Sequence, residues 1–158
     1  MFRSHKSAVW LKSLLIGALV AVPLVSGCAA TQAKEAKAEG PKYKLVIHVT
    51  QYDEKIFKQV LNMANNVPKQ VGVDNIVIEI VAQGPGLKLL TKGSSETTRI
   101  ASLVPYDNVK FSACGATIKG IKKHTGKDVV LLPDVKVVPG GVLRIMDLQR
   151  EGYAYIRP

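Results

Sequence analysis

The chain has 158 residues, 22 Lys and Arg against 12 Asp and Glu, a formal net charge of +10, and only 6% aromatic residues. That charge comes without a nucleic-acid recognition motif or an aromatic platform, and the few His and Cys show no metal-ligand spacing, so neither nucleic acid nor a metal is expected as a partner. No internal repeat is present, and the length suits one hydrophobic core rather than two.

Arg3, Lys6 and Lys12 precede the apolar run Leu14 to Val25, with no acidic residue before Glu35. The run is shorter than the roughly 20 residues a helix needs to cross about 30 Å of hydrocarbon, and it contains Pro23, so it reads as a secretory targeting segment. Val25-Ser26-Gly27-Cys28 then resembles the lipobox of bacterial lipoproteins, which implies cleavage before Cys28 and lipid on its thiol. Ala29 after the cysteine suits sorting to the outer membrane of a Gram-negative host, on its periplasmic side. The alternative is an ordinary signal peptide cut after Ala29 or Ala30. The expected organisation is a signal peptide over 1–27, a tether over 28–42 rich in Ala, Lys and Glu, and one domain over 43–158. Without residues 1–27 the net charge is +7, Trp10 is gone, and Cys114 is the one thiol left free of lipid. Extended, the tether reaches about 50 Å.

Residues 43–49 form a short, mostly apolar run, as expected of a strand buried on both faces. Asp53 can cap a helix in which Ile56, Phe57, Val60, Leu61 and Ala64 share one face, ending near Pro68 and Gly72. A second buried strand is predicted over 75–82, parallel to the first because one helix joins them. Gln83-Gly84-Pro85-Gly86 breaks it, 87–90 is short and helical or irregular, and Ser94 or Ser95 caps a helix ending at Leu103. A third strand over 109–113 leads through Cys114 into a helix over 115–124, terminated by Gly126. Residues 128–134 carry no clear pattern. A strand over 135–138, a helix from Pro139-Gly140-Gly141 through Gln149, and a closing strand over 152–156 complete an α/β chain. The predicted architecture is a three-layer sandwich around a mostly parallel sheet of about five strands.

Ligands of such folds sit beyond the C-terminal ends of strands, where Cys114 lies. A helix start offers unpaired N–H groups and a positive dipole end, so Gly115, Ala116 and Thr117 are candidates to stabilise a thiolate there. Gly115 would also let a ligand approach the backbone. The plain alternative is a small apolar side chain packed at a strand end. His48 reaches Cys114 only if their strands are neighbours; otherwise it is a histidine hydrogen-bonded at a strand end. Gly84-Pro85-Gly86 and Pro139-Gly140-Gly141 match neither the P-loop nor the dinucleotide fingerprint and read as turns, although the second can offer helix N–H groups to a small anion. Lys119, Lys122, Lys123 and Lys127 read as a solvated basic face.

The segments Leu61-Asn62-Met63-Ala64-Asn65, Val81-Ala82-Gln83-Gly84-Pro85-Gly86-Leu87, 109–117 and 137–142 with 151–156 resemble the DsrE/DsrF-like family, which includes sulfur-relay subunits related to TusD. The resemblance spans nearly all of 43–158. It implies the DsrE-like fold, a ring-like homo- or hetero-oligomer, and a cysteine at the position of Cys114 that accepts sulfane sulfur from a protein or small-molecule donor as a persulfide; a homo-oligomer and no cofactor are expected here. It also makes Gln83 and Gly84 candidates for binding, although the family pattern often carries His where this chain has Gln83. The alternative function is a non-catalytic oligomeric module in which Cys114 is structural.

Overall fold

The computed structural model describes residues 40–158; the signal-like run, Cys28 and residues 28–39 of the tether lie outside the described residues. Five strands and four α-helices alternate: β1 (Tyr43–Val49), α1 (Glu54–Val71), β2 (Ile76–Ala82), α2 (Thr97–Leu103), β3 (Val109–Cys114), α3 (Gly115–Thr125), β4 (Lys136–Val138), α4 (Gly141–Arg150) and β5 (Ala154–Ile156). All pairings are parallel, in the order β4-β3-β2-β1-β5. The fold is α/β, with helices on both faces of the sheet.

That strand order determines which face each helix covers. From β1 to β4 the chain steps across the sheet in one direction, and right-handed crossovers then put every connecting helix on the same side. Phe57, Val60 and Leu61 of α1 and Ile100 and Leu103 of α2 pack there on Ile47, Val49, Ile78, Ile80 and Phe111, with Ile118 and Ile121 of α3 against the same core. The final step runs back past β1, so α4 falls on the opposite face. Its Ile145 and Leu148 meet Val46 and Val81 in a second, smaller core. Each such aliphatic or aromatic side chain contributes about 1.5–3 kcal/mol through burial.

Local chemistry places the boundaries. The Asp53 carboxylate accepts the Lys55 N–H at 2.7 Å and starts α1. The helix runs through Pro68 to Val71, and the N–H of Gly72, at φ 92°, closes it on the Pro68 carbonyl. Gly126, in the left-handed conformation at φ 70°, ends α3. Some expected boundaries differ. Residues Gly84–Leu90 form one 3-10 helix, because Leu87, Leu89 and Leu90 are drawn into the core while Gly86 lies against the Val49 and Thr50 backbone with no room for a side chain. Ser94 does not cap α2: its hydroxyl accepts the Glu96 N–H at 3.3 Å in the preceding turn, and α2 begins only at Thr97. Within 128–134, Leu131 makes an isolated antiparallel bridge to Thr91. The closing strand is shorter than expected, since Gly152, at φ 89°, belongs to the turn before it.

Candidate functional site

β3 and β4 are neighbours whose following helices leave toward opposite faces of the sheet. Such a divergence opens a crevice at the C-terminal strand ends, the usual ligand position of open parallel sheets. Cys114 ends β3 at this point and is the N-cap of α3, while α4 starts three residues after β4. The β3–β4 register pairs Cys114 with Val138, so both helix starts meet at the sulfur.

The Cys114 side chain is buried, and Sγ accepts the Gly141 N–H at 3.2 Å. Burial pushes the thiol pKa up, but the nearby Thr117 hydroxyl and the N–H groups of Thr117, Gly141 and Ala116 outweigh it and draw the pKa below its ordinary value. The Ala116 N–H donates to Pro139 O at 3.2 Å. Thr117 is itself fixed, because its Oγ1 accepts the Gly84 N–H at 3.0 Å. The two positive helix ends add to these contacts, since each favours negative charge within its first turn.

Gly115 plays a different part from the one its sequence position suggested. A Cβ there would stand 2.9 Å from the Val138 carbonyl oxygen, so the close approach it permits is that of β4 rather than of a ligand. Gly141 meets a side chain instead of backbone: a Cβ would lie 2.5 Å from Gln83 Oε1. Gln83 thus packs on the residue that donates to the thiol, while its own N–H donates to Val49 O at 2.9 Å.

His48 is not beside Cys114, because β2 lies between β1 and β3. Its Nδ1 is hydrogen-bonded to Tyr155 Oη at 2.8 Å, and its Nε2 is buried without a partner. Burial first, then the charge of Arg157, lower its pKa, with Gln83 pulling weakly the other way, so the ring is neutral near pH 7. Lys122 forms an exposed ion pair with Asp128 at 2.7 Å, and the other lysines of this region lie on the solvated side of α3 and the turn after it. Among the described residues, no group of three His, Cys, Asp or Glu side chains is placed to hold a metal ion.

One feature of the site is not apparent from the motifs. Glu79, on the α4 face of β2 and 2% exposed, takes Arg144 Nε at 2.8 Å and Nη2 at 2.7 Å, and accepts the Ser112 hydroxyl at 2.7 Å. Burial pushes the Glu79 pKa up, but Arg144, Ser112 and Lys110 together hold it below the ordinary carboxylate value. Arg144 lies in the first turn of α4, so this bidentate pair clamps the helix start that carries Gly141. The signal available in the sequence was a lone carboxylate inside the apolar run Ile76-Val77-Ile78-Glu79-Ile80-Val81. Beside the clamp, a cavity of about 410 Å³ opens between α4 and the β3–β4 rows, lined by Lys110, Lys136, Val138 and Leu143 among others.

No protein-family model matches the chain, and no curated protein does. A solved structure, that of the protein of unknown function MTH1491 from Methanobacterium thermoautotrophicum, is similar at 32% identity and a TM-score of 0.64, over 73% of this chain and 99% of that one. The chain belongs to the family of MTH1491. The shared region amounts to nearly the whole of MTH1491. Since MTH1491 is of unknown function, the family establishes the fold, and the chemistry has to be argued from the Cys114 crevice.

Proposed function

We propose that this protein carries sulfane sulfur on Cys114, as a lipid-anchored protein of the bacterial cell envelope related to the DsrE/DsrF-like carriers. The observation that carries the reading is the hydrogen bond from Gly141 to Cys114 Sγ at the meeting point of two helix starts, which favours a thiolate at a crevice suited to ligands. In the transfer step the thiolate attacks the outer sulfur of a donor persulfide, R–S–SH. A new S–S bond forms to Cys114, the donor S–S bond breaks, and R–S⁻ leaves. The basic, apolar and lipobox-like order of the N-terminus supports the envelope address and the anchor on Cys28.

The test is to incubate the protein with glutathione persulfide, trap with an alkylating agent, and read the Cys114 peptide by mass spectrometry. An adduct bearing one additional sulfur on Cys114, absent from Cys114→Ser, is expected. No adduct would end the reading. Anchoring is tested separately by the mass of the mature N-terminal peptide, expected to be lipid-modified at Cys28.

A second reading, an assembly module with Cys114 merely packed, is favoured by the outer face of α4, where Val142, Leu143 and Met146 are each more than half exposed, and by the burial of the thiol. It predicts that Cys114→Ala leaves the native mass in solution and every binding property unchanged.

A further inference from the structure

We propose that Gln83 is a positioning residue for Cys114: backed by His48 and Tyr155, its side chain keeps the Gly141 N–H on the sulfur. The inference rests on Cys114 acting as a thiolate. The register places the parts. His48 is paired with Val81 and Ala82 with Ala113, so Gln83, which continues β2 with extended backbone, stands level with Cys114 on one side and diagonal to His48 on the other. Side chains alternate along a strand, so His48 shares the α4 face with Val46, Gln83 with Val81, and Cys114 with Ser112. Diagonal neighbours on one face are within reach of long side chains.

The links at either end have direct contacts, and the middle one, from His48 to Gln83, rests on the register. Gln83 lies flush on Gly141, whose absent Cβ would also sit 3.3 Å from Gln83 Cδ. Gly141 in turn donates to Sγ. On the far side, Tyr155 of the edge strand β5 engages Nδ1 of His48 at 2.8 Å, which leaves the other ring nitrogen as the free polar atom of the ring. That nitrogen, on a residue only 8% exposed, has no hydrogen-bond partner of its own. A buried polar atom of this kind calls for an explanation, and the carboxamide of Gln83 is the polar group that the register brings to it. Burial and then Arg157 lower the His48 pKa, with Gln83 opposing them, and a neutral imidazole can meet either end of an amide. The series Tyr155, His48, Gln83, Gly141, Cys114 therefore crosses the sheet from one edge strand to the thiol.

The test uses the full chain and measures the rate of iodoacetamide labelling of the Cys114 peptide across pH, in wild type, Gln83→Met, His48→Phe and the double variant. Gln83→Met keeps length and bulk but removes the amide. The expected midpoint rises by about half a pH unit in Gln83→Met, or about threefold less thiolate below the midpoint. His48→Phe moves it the same way, and the double variant moves it no further than the larger single change. Tyr155→Phe, which removes one hydroxyl from a partly exposed edge residue, gives a smaller shift in the same direction and serves if a core variant fails to fold. A low wild-type midpoint that Gln83→Met, or Tyr155→Phe in its place, leaves unmoved overturns this inference alone. So does a double variant in which the two shifts simply add. A wild-type midpoint no lower than that of a free thiol overturns the thiolate reading itself.

Discussion

Arg144→Met removes both guanidinium contacts from Glu79 and leaves a carboxylate on a 2% exposed residue with the Ser112 hydroxyl as its remaining partner. Breaking a buried ion pair in this way costs about 3–5 kcal/mol, and the partial exposure of the Arg144 side chain, 31%, argues for the lower end, about 3 kcal/mol. That is a large share of the roughly 5–15 kcal/mol that holds a domain together, and it corresponds to a fall of about 10 °C in Tm. The pH dependence also changes sign. In wild type the Glu79 pKa lies below its unfolded value, so its contribution is present above the unfolded pKa and is lost as pH falls through the folded one. In Arg144→Met, burial without the guanidinium raises the folded pKa, so stability is greatest below the unfolded pKa and falls as pH rises through the folded one. Urea denaturation between pH 4 and 8 reads both effects. Glu79→Leu with Arg144→Met recovers most of the loss, because no unpaired charge then remains in the sheet. An Arg144→Met variant within about 1 kcal/mol of wild type, with unchanged pH dependence, refutes the clamp.

Gly141→Ala brings a Cβ to 2.5 Å from Gln83 Oε1 and pushes the carboxamide off the start of α4, so the thiol pKa rises and labelling of the native Cys114 peptide at pH 7 slows several-fold. Thr117→Val deprives the thiol of a hydroxyl and leaves the Gly84 N–H unpaired; it raises the thiol pKa and costs about 1–3 kcal/mol in urea denaturation. Asp53→Ala removes the cap of α1 and costs about 1 kcal/mol by the same measurement without altering thiol reactivity.

The apolar runs at 43–49, 75–82 and 109–113 and the helical spacing of Phe57, Leu61 and Ala64 are legible in the sequence because burial on both faces of a parallel sheet leaves a strong local signal. Strand order leaves no such mark. Whether His48 meets Cys114 depends on which strands adjoin, and β2, placed between them by two successive crossovers in one direction, decides against it. The site divides along the same line. Cys114 and its following N–H groups are visible as a strand end before a helix. The Pro139-Gly140-Gly141 turn is visible as a source of N–H groups for an anion, but that its donor meets the Cys114 sulfur is a fact of topology. Glu79 and Arg144 are 65 residues apart, and nothing local pairs them. The ends of α2 and β5 depend on turn hydrogen bonds at Ser94 and on the backbone of Gly152, which composition alone does not reveal.

The central claim, an ionised thiol poised where α3 and α4 start, is tested most directly by the pH dependence of Cys114 labelling in the native protein, read on its own peptide so that Cys28 does not interfere. The account predicts labelling without unfolding, with a midpoint below that of a free thiol. Labelling that follows only the global unfolding of the domain, or an ordinary thiol midpoint, would contradict it.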